Sequence, residues 1–479
     1  MSVSLTDTIL QSKSNSNYDL VLLPGFVQWN SKPLEEKLSV KIRKGPEFAS
    51  ELPTLFANLE DVELSNTIPA NKLMEKSGLD LYNQIIQEQY ERAKENLGLN
   101  TFYINETKSE LIIGSNLPPP IIAEIVNCTE KNDLGILKKA KHYIESGADI
   151  IDIGCVSNRP NPLRVKQIIQ ILRENFNILF SIDSMDSSEI LEAVDMNIDM
   201  ILSFDNGNYK DFIDIPKDIP IIILPTNIKE GIYPKEPKKR IENLQSLAKK
   251  LHNYGFQKLI ADPLLETPIA PGITNSLETY FLYKKIPPAD QLPLFFGVSN
   301  VVELMDLDSV GINGLLASIA VELDMGILFT VEHSVKLFGG VRELKDSLKL
   351  NYISRYKKTP PINQGLSIFK AKGKVNQKIP QINDNDAIFV DKLIPDYIPD
   401  DKGYFRIYAN PYTGKIYVLF FSIEDDLLHT FIGNNAEALS KQIIKQNITN
   451  NISHINYLGR ELKKAEICLL IGKPYIQDE

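Results

Sequence analysis

The chain has 479 residues, 24% of them charged and 43% hydrophobic, with a formal net charge of −10. Such a length exceeds one hydrophobic core and predicts two or three domains, while the acidic balance excludes wholesale nucleic-acid binding. Its three cysteines, Cys128, Cys155 and Cys468, form no CxxC pair, so neither a disulfide framework nor a zinc knuckle is indicated.

Residues 1–116 read as an N-terminal α/β segment. It contains a strand in "YDLVLLPG", a basic turn in "IRKGPEFASELP", a polar helix near Leu79–Leu97, and two short extended pieces, "TFYI" and "ELIIG". The start of the chain has neither a basic cluster nor an apolar stretch of signal-peptide type, and no apolar run is long enough to span a bilayer. A cytoplasmic protein with no membrane association is expected.

Residues 117–350 repeat one pattern: short apolar strand, polar turn, amphipathic helix. The strands are "IIAEIVN", "DIIDIG", "ILFSIDS", "MILSF", "PIIILPT", "KLIADP", "LPLFFGVS" and "ILFTVE". Nearly continuous apolar strands alternating with helices predict a parallel sheet covered by helices. Eight of them predict a closed (β/α)8 TIM barrel. A doubly wound open sheet is the alternative, but no GxGxxG turn follows the first strand. The cluster "PKEPKKR" at 234–240 reads as a solvated helix start.

Residues 351–402, rich in Pro, Lys, Asn and Gln, read as a linker or surface strap. Residues 403–479 read as a small α+β domain: a hairpin across "NPYTG", then helices at Ala436–Lys445 and His454–Leu470.

In such barrels chemistry sits at the C-terminal strand ends. Those ends carry Asn127, Asp152 with Ser157, Asp183 with Ser184, Ser203 with Asp205, Thr226 with Asn227, Asp262, Ser299 with Asn300, and Thr330 with Glu332. No histidine pair or HxH spacing occurs, so no metal is expected. Two carboxylates on separate strands, Asp183 and Asp262, can each accept a pair of N–H donors, such as the amino edge of a pterin. Asn300 both donates and accepts, which suits a ring whose protonation changes. Other roles compete. Asp183, Ser184 or Asp186 can cap the next helix, Asn127 can serve turn chemistry, and Asp152 can belong to an interior structural network.

The stretches "GADIIDIG", "FSIDS", "IADPLL", "FFGVSNV" and "INGLLASIAVELDMGI" resemble the pterin-binding barrel family. That family includes dihydropteroate synthase and the methyltetrahydrofolate:corrinoid methyltransferases. With "RKGPEFA" and "HINYLGRELKKAE", the whole chain looks like an archaeal dihydropteroate synthase-like group.

The resemblance implies a reduced pterin of tetrahydrofolate or tetrahydromethanopterin type, held by Asn127, Asp183, Ser203, Asp262, Ser299 and Asn300. Asn300 would act at the pterin N5. It further implies a separate methyl-carrier protein and, by analogy, a homodimer. The synthases' Ser- and Gly-rich loop after the first strand is missing from "NCTEKNDLG", and their Ser-Arg-Lys is replaced by Ser299-Asn300-Val301. Their final Arg and His are replaced by "FTVEHS", which weakens any hold on a pyrophosphate leaving group. Transfer of a one-carbon or pterin-linked group is therefore expected. Condensation of a pterin pyrophosphate with an arylamine, or a non-catalytic pterin carrier or sensor, are the alternatives. His454, Tyr457 and Arg460 form either an ion-pair face or the lining of an interface or ligand-tail site.

Overall fold

The structure, a computed structural model, describes residues 18–47, 51–60, 62–366, 368 and 400–477. The chain divides into two compact units, one of residues 1–333 with 340–368, the other of 334–339 with 369–479. The N-terminal segment thus belongs to the same unit as the barrel.

In that segment Val21–Leu23 pairs parallel with Ile42–Lys44, and Phe102–Tyr103 pairs antiparallel with Ile112–Ile113, at the expected extended pieces. The long helix is Ala70–Lys94, starting earlier than expected, directly after Pro69. Neither cation of "RKGP" is free to hold an anion. Arg43 pairs with Glu35, and Lys44 Nζ donates to the Val27 carbonyl.

Eight parallel strands form one sheet: Ile121–Ile125, Ile150–Gly154, Leu179–Asp183, Met200–Phe204, Ile221–Ile223, Leu259–Ala261, Phe295–Gly297 and Ile327–Val331. They coincide with the eight apolar runs. The eighth strand pairs with the first, and Ala261 N donates to Pro293 O at 2.9 Å beside a parallel bridge from Ala261 to Leu294. Those contacts join the sixth and seventh strands and close the barrel, which rules out the open sheet. Closure explains the runs themselves: strands buried by side chains inside and helices outside need apolar residues at nearly every position.

The intervening helices start on residues the sequence supplies for that purpose. Asn132, Asn161 and Asp186 cap Asp133–Ser146, Pro162–Asn175 and Ser187–Asp195, accepting from Gly135 N, Arg164 N and Ser188 N. Gly147, at φ 99°, ends the first of these helices in the left-handed region. The last helix of the unit, Gly340–Lys357, runs past residue 351, where the linker was expected to begin. The expected strap falls mostly on 369–399, outside the described residues.

The second unit contains the hairpin Tyr404–Asn410 with Lys415–Phe421, then a third antiparallel strand, Leu427–Gly433, that sequence reasoning missed. Its side chains are mostly exposed, so it lacks a clear alternating signal. Helices Ala436–Lys445 and Ile452–Ile471 complete a core built on Phe405, Val418, Phe420, Leu458 and Leu462. Among the described residues, no helix is long and apolar enough to cross a membrane.

Candidate functional site at the barrel mouth

Because all eight strands are parallel and the sheet is closed, their C-terminal ends share one face. Asn127, Asp183, Ser203, Asp262, Ser299 and Asn300 all lie at that end. Strand order also fixes their positions around the ring. The sixth and seventh strands stand across the barrel from the second and third.

Asp262 follows the sixth strand directly. Its N–H makes the last sheet bond, to Ile223 O at 3.0 Å. Pro263 then turns the chain, and Leu264 N donates to Asp262 Oδ1 at 2.8 Å. Leu264 has φ 69°, a region a leucine seldom occupies, so the turn is strained to hold this carboxylate. Tyr280 Oη donates to the same oxygen at 3.3 Å and is also 2.9 Å from Phe295 O. Burial pushes the Asp262 carboxyl up to about 7, against the opposing pull of Leu264, Tyr280 and the Arg240 charge.

Arg240 corrects the reading of "PKEPKKR" as a solvated helix start, because its side chain is fully buried. The guanidinium donates to Pro263 O at 3.2 Å, Leu264 O at 3.0 Å and Glu266 Oε2 at 2.6 Å. Asn300 Nδ2 donates to Leu265 O at 3.0 Å. Asp262 and Asn300 are therefore tied to one loop, and Arg240 fastens that loop from behind. Nothing in the local sequence marked Arg240 or Tyr280 as its supports, because both come from helices distant in sequence.

Across the mouth a second group forms. Asp183 ends the third strand, and since Asp186 is the helix cap, Asp183 is left to the barrel mouth. Asp152 and Glu124 come from the second and first strands. One carboxylate oxygen from each of the three lies within 4.8 Å of the others. Sequence reasoning missed Glu124, although a lone acid inside the apolar run "IIAEIVN" is itself a signal. Burial first, and then the neighbouring acids, push Glu124 and Asp152 above the usual carboxylate range; burial does the same to Asp183. A cavity of about 350 Å³ opens here, lined by residues including Glu124, Asn127, Ser157, Asn158, Asp183 and Glu189. Asn127 stands at its rim at φ 51°, a left-handed position that asparagine tolerates. Ser203, Asp262, Ser299 and Asn300 do not line this cavity.

Other strand-end residues serve structure. Asp205 accepts from Gly207 N, Asn208 N, Thr226 Oγ1 and Ile228 N, organising the loops after the fourth and fifth strands. Ser203 contributes its carbonyl to Asn208 Nδ2 at 3.1 Å. Ser299 is buried at the start of the short helix Ser299–Val302. Glu332 is not a bare anion at the mouth. It lies 2.8 Å from His142 Nε2 and accepts from Val341 N at 3.1 Å. Burial works to raise its carboxyl, but His142 and then Lys139 hold it below the usual value. In the second unit His454 is in the core, 2.8 Å from Asp400 Oδ2, while Arg460 is exposed and Tyr457 accepts from Gln477 Nε2.

Over 472 residues the chain is 32% identical to an uncharacterized protein of Methanocaldococcus jannaschii, covering 98% of this chain and 88% of that one. The family described as "Pterin binding enzyme" matches residues 126–323, and "PterinBD-DUF4346" matches residues 399–478. The chain belongs to the pterin-binding barrel family. A Ycf91-like protein of Nostoc is 31% identical to this pterin-binding barrel protein over 84 residues, 17% of this chain and 64% of that one. A dihydropteroate synthase of Yersinia pestis with a pterine-sulfa conjugate matches half of the chain at 18% identity, covering 94% of that chain, with a TM-score of 0.40. That of Coxiella burnetii, in complex with pteroic acid, matches at 18% identity over 50% of this chain and 94% of that chain, with a TM-score of 0.38.

Proposed function

We propose that this pterin-binding, transferase-like protein holds a reduced pterin at the barrel mouth and transfers a one-carbon or other pterin-linked group. The observation that carries this reading is Asp262. A strained turn, Tyr280 and the Arg240-fastened loop hold one oxygen of a buried carboxylate, while the other, Oδ2, takes no hydrogen bond among the described residues. A buried acid held this way suits a ligand with paired N–H donors, which the amino edge of a pterin supplies. Asp183 accepts from across the mouth. Asn300, tied to the same loop as Asp262, steadies N5 as its charge changes. Its contribution is modest, because an amide is a weak acid.

Transfer is favoured over pyrophosphate displacement by charge. The acids lining the cavity over the first three strands are Glu124, Asp183, Asp186 and Glu189, and among the described residues no lysine or arginine lines it. A departing pyrophosphate needs lysine or arginine donors around both phosphates, which a single bound cation would not replace. Calorimetry with a panel of reduced pterins tests the reading. Wild type should bind, and Asp262→Asn, which turns a donor toward the pterin's donors, should bind about ten- to a hundredfold more weakly. Absence of any reduced-pterin binding would overturn the proposal. An assay of pteroate formation from a pterin pyrophosphate and aminobenzoate, with Mg2+ present, should show no turnover. A robust rate there would replace transfer with synthesis.

A further inference from the structure

We propose that Glu124, Asp152 and Asp183 form a binding site for one hard divalent cation of magnesium or manganese type. The inference does not rest on the pterin reading, since it follows from the protein's own carboxylates.

Strand register builds the cluster. Glu124 pairs with Asp152 and Asp152 with Ser181, so the two acids and the serine stand side by side on adjacent strands. Asp183 lies two residues further along and pairs with Gly154. Glu124 must lean over Gly154 to reach it, and the glycine makes that possible. A Cβ at residue 154 would lie 2.0 Å from Glu124 Oε1.

The spacing fits a single ion. Oxygens on opposite sides of a cation with bonds of about 2.1–2.4 Å lie roughly 4.2–4.8 Å apart. The three oxygens here lie within 4.8 Å of one another. All-oxygen donors select hard cations over zinc or copper.

The second observation is Asp152 itself. It is fully buried, and Ser181 Oγ donates to its Oδ1 at 2.5 Å. Among the described residues its buried Oδ2 has no hydrogen-bond partner. A carboxylate oxygen left without a donor in the interior is costly, and a cation would satisfy it directly. Among the described residues no lysine, arginine or histidine forms an ion pair with any of the three acids. Glu124 and Asp183 also open onto the 350 Å³ cavity, which gives the ion a route in and room for the waters that magnesium retains. Asp183 has two oxygens, so one can meet the cation while the other faces the mouth.

The test uses the full-length protein after removal of metals with a chelator. Manganese(II) chloride is titrated in, free Mn2+ is read by electron paramagnetic resonance, and the thermal midpoint is followed in parallel. Wild type should take up one Mn2+ per chain, release it to excess Mg2+, and gain thermal stability on loading. Glu124→Gln and Asp152→Asn should each weaken uptake at least about tenfold. Asp186→Asn lines the same cavity outside the triad and keeps a good helix cap, so it should bind Mn2+ as wild type does. If Asp152→Asn does not fold, Glu124→Gln decides the matter, because its carboxylate faces the cavity. Absence of saturable Mn2+ uptake by wild type, or unchanged affinity in Glu124→Gln, would overturn the proposal and leave the triad's charge to protons alone.

Discussion

At residue scale the two sides of the mouth differ in how their acids are compensated. Asp262 has two donors on Oδ1 and a nearby guanidinium, yet burial still lifts it from 3.8 to about 7. Its proton is therefore held more tightly in the folded chain than in the unfolded one. Stability from this group is fully present below the unfolded value, is lost as pH rises toward about 7, and does not fall further above it. Asp262→Asn cannot ionise. Its stability relative to wild type should grow between pH 4 and 7 and then level off, by at most about 4 kcal/mol. Urea unfolding across that pH range measures it. Pterin affinity should move the other way in wild type, rising with pH through about 7 as the carboxylate becomes ionised, and this dependence should vanish in Asp262→Asn. Glu332 is the contrasting case. With His142 and Val341 as its partners, Glu332→Ala should cost about 3 kcal/mol in urea unfolding, as expected when one member of a buried pair is removed.

At the scale of elements, the signals that placed strands and caps were local, and those that placed side chains against one another were not. The apolar runs marked all eight strands. Asp186, two residues before Ser188, capped its helix as Asp, Asn, Ser and Thr do elsewhere. By contrast, Gly154 reads in the sequence only as the end of a strand. Register against the first strand reveals that it vacates space for Glu124. Gly154→Ala should therefore destabilise the barrel by about 1–3 kcal/mol through overpacking. In a Glu124→Ala background the same change should cost much less, and a double-mutant cycle by denaturant titration reads the difference. An unchanged cost in both backgrounds would mean that the Glu124 side chain can swing away freely.

At the scale of the molecule, the chain divides into two units, and the proposed chemistry sits wholly in the one that contains the barrel. The resemblance left open whether His454, Tyr457 and Arg460 line a ligand site. The structure puts His454 in the core of the other unit with Asp400 and Thr449, where the pair holds a polar network together. Burial works to raise the Asp400 carboxyl, but His454 and Thr449 hold it below its usual value. His454→Ala should lower the thermal midpoint by several degrees, since it leaves Asp400 without its ring partner. Reduced-pterin affinity measured by calorimetry below that transition should stay within about twofold of wild type. A tenfold loss would give the C-terminal unit a part in binding.

Periodicity and turn chemistry are properties of neighbouring residues, so the sequence by itself determined the strand count, the alternation with helices and the residues at the strand ends. That Asp183 and Asp262 stood at such ends was legible for the same reason. Which acids meet was not. Glu124, Asp152 and Asp183 come from three strands, and only barrel closure and register bring their oxygens within 4.8 Å. Arg240 looked like one charge in a solvated run, and only the packing of its helix against the loop after the sixth strand buries it beneath Asp262. The sequence around Glu332 names no partner for it, and a helix following the first strand supplies His142. Charge compensation depends on partners far apart in the chain, so tertiary structure alone decided which carboxylates are paired and which, among the described residues, are left unpaired.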